Sequence, residues 1–277
     1  MNSDDQPDLA LQTRTARLNR WRKPLATRRE RRNAWFNMVF ADHGFIRMAY
    51  LNLHRISPNA WRSAQPAPYQ IRRFARLGIR SVINLRGGQS YGSLPLEVEA
   101  CAKAGLHFEN FVLRSRAIPS VEEIRAAKAL FDRLEYPVLF HCKSGADRAG
   151  IMSALYLAIH EERPVSEARK QLSLKFGHIR QGKTGILDAL FDTYEADQPG
   201  AEMPFMEWIE TRYDQTAITR AFKAGTPVFG CCWGMQNAAV VLGGETKAGP
   251  NGVEAGFARD IRPIDHPMHA GRRESFD

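Results

Sequence analysis

Residues 136–150 constrain the fold of this chain more than any other stretch. An apolar run with β propensity ends at Cys142, a tight loop containing Gly145 follows, and a helix-compatible stretch begins after Arg148. A strand, a tight loop and a helix in that order form an anion trap, because successive backbone N–H groups and the positive end of the helix dipole converge on one point. The segment therefore predicts an anion site at the carboxyl end of a strand.

The residue types in this loop indicate phosphoryl chemistry. A cysteine at the mouth of such a loop has its thiolate stabilised by the same dipoles, so Cys142 is expected to be nucleophilic near neutral pH. Arg148 can hold two oxygens of a phosphoryl group bidentately. The alternative is a buried structural cysteine with a chance arginine six residues later. His141 before the cysteine and Gly150 after the loop favour catalysis. The predicted phosphate-binding residues are Lys143, Ser144, Gly145, Ala146, Asp147 and Arg148.

Strand-like and helix-like stretches alternate on both sides of this loop. The alternation predicts an α/β fold with a central sheet flanked by helices, in which ligands bind at the carboxyl ends of strands. We predict a strand end and turn at 59–66, strands at 79–85, 107–113 and 138–141, helices at 68–77, 95–104, 119–134, 151–159, 165–175 and 184–195, and a last segment at 204–222.

Three blocks together resemble the dual-specificity-like phosphatase superfamily, and bacterial and atypical members in particular. They are residues 62–66 (Arg-Ser-Ala-Gln-Pro), 78–86 (ending Val-Ile-Asn-Leu-Arg) and 141–150, and the resemblance covers about residues 45–225. It implies a phosphate monoester hydrolase, a protein tyrosine or dual-specificity phosphatase, that forms a phosphocysteine at Cys142. Arg148 and the loop N–H groups would hold the phosphoryl oxygens, and His141 would support the loop from behind. No cofactor and no metal are expected.

The general acid departs from the common pattern of these phosphatases. Many relatives use an aspartate about thirty residues before the cysteine, but residues 113–119 contain none, and Glu109, Glu122 and Glu123 are the nearest carboxylates. The loop, of the type His-Cys-x-x-Gly-x-Asp-Arg, resembles those of myotubularin-like lipid phosphatases and of bacterial phosphatases in which the loop aspartate is the proposed acid. We therefore predict Asp147 as the acid, with a loop-bracing role as the alternative. Ala149 stands where many relatives carry a hydroxyl that helps the thiolate leave, which keeps a phospholigand-binding pseudophosphatase open.

The N-terminal region bears on the substrate. Nine of the chain's basic residues lie between positions 14 and 32, ahead of an aromatic-rich stretch at 35–50. Such a segment can lie on an anionic membrane surface, or it can be a solvated arm with a core-packing helix behind it. A basic rim formed by Lys143, Arg86, Arg116, His178 and Lys183 would favour an anionic substrate. The substrate is thus a phosphorylated protein or, alternatively, a phospholipid or phosphoinositide at the inner membrane face. No nucleic-acid motif is present.

The rest of the sequence sets the compartment and the domain limits. The four cysteines have no disulfide-framework or zinc spacing, which favours a reducing compartment and hence a cytoplasmic protein, with peripheral contact to the inner membrane as a further option. Residues 226–277 resemble a fragment of a class I glutamine amidotransferase, with Cys232 at the nucleophile position, and we expect no amidotransferase activity from so short a piece. The predicted domains are a basic arm and helix at 1–44, the phosphatase-like domain at 45–225 and this fragment.

Overall fold

The computed structural model describes residue 21 and residues 23–87, 91–197 and 203–225. The chain divides into two units, residues 1–225 and 226–277, and every described residue belongs to the first. The predicted C-terminal fragment with Cys232, and residues 1–20 of the basic segment, lie outside the described residues.

A five-stranded sheet in the order β1-β2-β5-β3-β4 forms the centre of this unit. β1 runs antiparallel to β2, and the other neighbours are parallel. β5 lies in the middle and every one of its residues is buried, which explains the continuous apolar run in the sequence. The strands are β1 His54–Ser57, β2 Ala60–Ala64, β3 Ser81–Asn84, β4 His107–Asn110 and β5 Val138–Cys142.

Helices cover both faces of the sheet. Alternate residues of β5 point to opposite faces, and since all of them are buried, both faces need to be covered. Val138 and Phe140 pack into the larger core, and Leu139 packs into the smaller one. The helices are α1 Arg28–Phe36, α2 Gly44–Ala49, α3 Pro68–Arg76, α4 Ser93–Ala104, α5 Val121–Arg133, α6 Asp147–Leu155, α7 Val165–Ala168, α8 Ile186–Ala196, α9 Phe205–Thr211 and α10 Gln215–Gly225. Single π turns follow α1 (Asn37–Ala41) and α6 (Tyr156–His160), and 3-10 turns lie at Arg169–Gln171, Leu174–Phe176 and Lys183–Gly185.

The predicted central sheet flanked by helices is confirmed, with two local differences. Strand β1 was not predicted, since its four residues alternate in burial only weakly. The helix predicted at 165–175 is wrong beyond Ala168, where the chain breaks into 3-10 turns. These turns bring the carbonyl of Gln171 to the buried guanidinium of Arg62, at 2.6 Å, a contact that a continuous helix would have prevented by using that carbonyl itself.

Part of the predicted basic arm is a packed element of this unit. α1 begins with a capping box formed by Thr27 and Glu30, and Ala34 on its inner face is fully buried. Arg31 binds Glu99 of α4, and the backbone of Gly92 lies so close to Ala34 that an added Cβ would sit 2.5 Å from its carbonyl oxygen. The predicted domain boundary between residues 44 and 45 therefore does not divide the described residues into two separate units. Among them, no helix is both long and apolar enough to cross a membrane.

Candidate active site

The loop after β5 has the predicted order of strand, tight loop and helix. Cys142 is the last residue of the strand and only 2 % exposed, and α6 begins at Asp147. Gly145 between them has a φ of 76°. A Cβ at Gly145 would lie 2.6 Å from the backbone nitrogen of Ala64, so both the left-handed backbone and the close approach to β2 require glycine.

Arg62 on β2 holds this loop from behind. Its fully buried guanidinium donates to the carbonyl oxygens of Gly145 at 2.7 Å and Ala146 at 2.8 Å, and it stacks over the ring of Phe176 at 4.1 Å. Burial lowers the pKa of Arg62 to about 10, against the opposing charges of Cys142 and Asp147. The side chain is therefore still a cation at neutral pH. Arg62 therefore fixes the loop backbone through two of its carbonyl oxygens.

Gly150, which the sequence pattern singled out, has a packing reason. A Cβ there would lie 2.8 Å from Cδ2 of Leu172 and 3.0 Å from the carbonyl oxygen of Gln171. The glycine lets α6 approach the 3-10 turn that also binds Arg62. Gly150 therefore contributes to the motif through packing, because it allows the turn that supports the loop to lie close to α6.

The loop opens into a cavity of about 620 Å³. The lining includes every residue of the predicted phosphate loop except Gly145, together with His43, Ile46, Arg47, Tyr50, Asn52, Ala64 and residues 174–177. Arg148 lines this cavity and, within the described part of the chain, makes no hydrogen bond or ion pair, so its guanidinium is available to a ligand. No cluster of three or more His, Cys, Asp or Glu side chains that could hold a metal ion occurs among the described residues.

His141 is oriented away from the loop. Its Nε2 lies 2.7 Å from Oε1 of Glu97 on α4, and both side chains are fully buried. The two atoms are within ion-pair distance but do not have the geometry of a hydrogen bond. The other carboxylate oxygen of Glu97 accepts from Gln65 at 2.9 Å and from Asn84 at 3.2 Å. His141 thus ties β5 to α4, and the predicted support of the loop comes mainly from Arg62.

A second buried carboxylate, Asp42, connects the N-terminal helices to the loop. It binds Arg86 through both oxygens at 2.6 and 2.8 Å, and Arg47 at 2.8 Å, while Lys143 of the loop lies 3.4 Å away. Burial raises the pKa of Asp42, but the hydrogen bond and charge of Arg86, with Arg47 and Lys143, outweigh it and keep this pKa below its usual value. Asp42 is therefore an anchor for three cations and a poor proton donor.

Asp147 lies at the start of a three-residue ionic array. His178 has its Nδ1 2.8 Å from Oδ1 of Asp147 and its Nε2 2.8 Å from Oδ2 of Asp188 on α8. Burial lowers the pKa of His178, but the hydrogen bonds and charges of the two carboxylates raise it from 6.5 to about 9. The stabilisation that His178 contributes is therefore complete below about pH 6.5 and is lost as the pH rises through about 9.

The predicted basic rim is mostly wrong. Of its five members only Lys143 lines the cavity. Arg86 is buried against Asp42, and the side chain of His178 has no exposed surface. Besides Lys143 and Arg148, the cations that line the cavity are Arg47 and Lys175, which could not be predicted because nothing in the local sequence links them to the loop.

The three carboxylates nearest to the position where many relatives carry the general acid lie at other places in the fold. Glu109 binds Arg133 at 2.7 Å, and Glu123 completes the capping box of α5 with Ser120. Glu122 lies in the first turn of the same helix. Asp147 is the one acidic residue that lines the cavity in the described part of the chain.

Part of the chain is similar to known phosphatase domains. Residues 58–180 match the family model described as PTP-SAK, Swiss Army Knife protein, DSP-PTPase phosphatase domain. The chain is 27% identical over 109 residues to the dual specificity protein phosphatase TpbA of Pseudomonas aeruginosa (strain UCBPP-PA14), covering 38% of this chain and 46% of that protein. It is also 42% identical over 65 residues to a gamma-glutamyl-L-1-hydroxyisopropylamide hydrolase of Pseudomonas sp, covering 21% of this chain and 22% of that protein.

Solved structures with a similar arrangement include the crystal structure of P. aeruginosa TpbA, with a TM-score of 0.43 and 18% identity over 63% of this chain and 92% of that one. The crystal structure of PTPMT1 gives a TM-score of 0.40 and 19% identity over 52% of this chain and 96% of that one. The chain spans less than half the length of the curated relatives it matches. Residues 58–180 are therefore similar to phosphatase domains of the dual-specificity type. The amidotransferase resemblance of residues 226–277 stays a prediction.

Proposed function

We propose that this protein is a cysteine-dependent phosphate monoester hydrolase that acts on phosphorylated protein in the cytoplasm, as a tyrosine or dual-specificity phosphatase. One observation carries the proposal: the loop that follows Cys142 lines the cavity, and it ends at Arg148, whose guanidinium has no hydrogen-bond or ion-pair partner among the described residues. The sequence places a nucleophile and a bidentate oxyanion ligand on the same loop, which is the arrangement that phosphoryl transfer requires.

In the first step, Sγ of Cys142 attacks phosphorus, an S–P bond forms and the bond from phosphorus to the ester oxygen breaks. Charge spreads over the three equatorial oxygens, which Arg148 and the N–H groups of residues 143–148 stabilise. The leaving oxygen takes a proton from Asp147, the acidic residue of the cavity lining. The product of this step is a phosphocysteine and the free alcohol or phenol.

In the second step, water attacks the phosphocysteine, the P–S bond breaks, and inorganic phosphate and the Cys142 thiolate are released. Asp147, now ionised, takes the proton of the attacking water. Ala149 offers no hydroxyl to the departing thiolate, and it is fully buried against the core. We therefore expect breakdown of the phosphocysteine to limit the steady-state rate.

Steady-state hydrolysis of p-nitrophenyl phosphate tests this proposal. We expect multiple turnovers in excess EDTA, preceded by a burst of about one equivalent of p-nitrophenol, because the second step is the slower one. A burst that stalls at one equivalent would favour a phospholigand-binding pseudophosphatase. Loss of all activity on chelation alone would show a metal-dependent hydrolase and contradict the cysteine mechanism.

A second candidate, a lipid or phosphoinositide phosphatase at the inner membrane face, has a specific observation in its favour. Large apolar side chains are exposed around the cavity, and three of them, Ile46, Tyr50 and Leu174, belong to its lining. Leu174 is 76 % exposed, beside Lys175. Apolar groups next to cations suit an anionic bilayer surface, where the chains enter the interface and the charges meet headgroups. The other exposed members on the N-terminal helices are Phe36, Phe40, Phe45 and Met48.

Vesicle binding separates the two candidates. If lipid is the substrate, Phe40→Ser combined with Phe45→Ser should weaken binding to phosphatidylserine vesicles about tenfold or more and slow phosphoinositide hydrolysis equally, because each exposed aromatic side chain that is lost removes a few kcal/mol of interfacial burial at most. Rates on a phosphotyrosine peptide should not change. Leu77→Ser is the matched control, since Leu77 is 48 % exposed but follows α3 and does not belong to the N-terminal helices. Equal vesicle binding by all three proteins at low salt would leave the phosphoprotein phosphatase.

A further inference from the structure

The side chain of His178 is enclosed between two carboxylates and has no exposed surface. Both of its ring nitrogens lie 2.8 Å from a carboxylate oxygen. A neutral imidazole has one donor nitrogen and one acceptor nitrogen, whereas an ionised carboxylate only accepts. A carboxylic acid with its proton on one oxygen also accepts through the other, so Oδ1 of Asp147 accepts from the ring even when Oδ2 carries the proton for the leaving group. Both contacts are satisfied together only when each nitrogen carries a proton. The ring is therefore an imidazolium whose orientation is fixed at both ends.

The two carboxylates differ in their surroundings. Asp188 lies on α8 with a side chain only 6 % exposed, whereas the side chain of Asp147 is 22 % exposed and lines the cavity. Oδ1 of Asp147 is taken by His178, while Oδ2 has no hydrogen-bond partner among the described residues. The array thus runs from the interior to the cavity and ends on a carboxylate oxygen beside Arg148.

The position of Asp147 in the chain makes such support necessary. It is the first residue of α6, where its side chain can turn towards the free N–H groups of the helix end instead of the cavity. The neighbouring loop is already fixed by Arg62 through the carbonyls of Gly145 and Ala146, which orients the backbone but not this side chain. His178 is the residue that fixes the carboxylate itself.

We infer that His178, anchored by Asp188, is a positioning residue that holds the carboxylate of Asp147 at the cavity so that it can exchange protons with the leaving group and with the attacking water. The inference rests on the proposed phosphatase function and extends its mechanism to two residues outside the phosphate loop. A carboxylate held in one orientation transfers a proton without first losing freedom of rotation, which is where much of the advantage of a fixed acid arises. The histidine itself does not touch the substrate.

Leaving-group dependence tests this role, because a merely structural contact would not change it. His178→Asn and Asp188→Asn are compared with Asp147→Asn on an alkyl phosphate, phenyl phosphate and p-nitrophenyl phosphate. We expect kcat/KM for the alkyl and phenyl esters to fall about 10²-fold, with a much smaller loss for p-nitrophenyl phosphate, whose leaving group needs little protonation. The affinity for vanadate should stay the same. The double variant of His178→Asn with Asp147→Asn should lose no more than Asp147→Asn alone.

Asp192→Asn is the matched control, because Asp192 lies one turn further along α8 and binds Arg169 and Arg180 instead of the array. It should leave the leaving-group dependence unchanged. Circular dichroism and urea unfolding identify any variant that fails to fold. If His178→Asn does not fold, Asp188→Asn and His178→Gln carry the test.

The outcomes separate the inference from the function on which it rests. Equal losses on all three esters, or losses that add to those of Asp147→Asn, would overturn the positioning role while wild-type turnover upholds the phosphatase. If the wild-type protein hydrolyses none of the esters, both the function and the inference fail. If Asp147→Asn itself has equal effects on all esters, Asp147 braces the loop and the array is structural.

Discussion

Replacing Cys142 by serine should abolish turnover of every phosphate monoester while leaving oxyanion binding intact. The serine hydroxyl is a far weaker nucleophile than a thiolate, so we expect a loss of about 10⁴-fold or more, the scale on which the loss of a covalent nucleophile is felt. Arg148 and the loop N–H groups remain in place, so the variant should still bind vanadate or phosphate. Initial rates with p-nitrophenyl phosphate and calorimetric titration with vanadate measure the two quantities.

Cys101 supplies the control for this experiment. It is the other described cysteine, fully buried in the smaller core between α4 and its neighbours, and burial raises its pKa far above the usual range. Cys101→Ser should therefore keep the activity of the wild type, apart from any change in stability. Turnover by Cys142→Ser at a rate near that of wild type would reject the phosphocysteine mechanism.

Replacing Arg62 by methionine should both destabilise the protein and inactivate it. The guanidinium is fully buried and donates to three backbone carbonyls, of Gly145, Ala146 and Gln171. Methionine fills much of the space but leaves these carbonyls without a donor, at a cost of about 1–3 kcal/mol each. We expect the free energy of unfolding to fall by roughly 3 kcal/mol or more, and activity to fall because the loop is no longer held. Urea unfolding and p-nitrophenyl phosphate turnover are the measurements.

Arg148→Met is the matched variant, since it removes the same group from the loop region, and the Arg148 side chain makes no hydrogen bond or ion pair among the described residues. Its free energy of unfolding should stay within about 0.5 kcal/mol of the wild type. Its kcat/KM should fall about 10²- to 10³-fold, as expected for a preorganised donor to the transition state. Equal destabilisation by both substitutions would mean that Arg148 also supports the fold.

The sequence predicted those parts of the site that depend on local order along the chain. A buried strand, a loop with glycine at its third position and a following helix are adjacent in sequence, so Cys142, Gly145 and Arg148 could be placed before the structure was known. The helix and strand positions around them also follow from hydrophobic spacing. Arg148 lines an open cavity, and the catalytic roles of Cys142 and Arg148 stay predictions.

Most of the contacts that support the loop could not be predicted, because they join residues that are distant in sequence. Asp42 meets Arg86 across 44 positions, and Arg62 meets the loop carbonyl of Gly145 across 83. The sequence does not distinguish a buried charged residue from an exposed one, which is why His178 was expected on the basic rim of the cavity. The break after Ala168 was missed as well, because the contact of Gln171 with Arg62 that accompanies it joins residues 109 positions apart.

The ion pairs around Asp42 and Asp188 also determine which residues a fragment of this chain needs in order to fold. The family match spans residues 58–180, and a fragment cut to those limits would lose Asp42 and Arg47 at one end and Asp188 at the other. Arg86 would remain without the carboxylate of Asp42, and His178 would keep only one of its two carboxylates, that of Asp147. Each buried charge left uncompensated costs several kcal/mol. The folding unit is therefore wider than the recognisable phosphatase segment, and expression of a phosphatase fragment should begin before α1 and continue through α8.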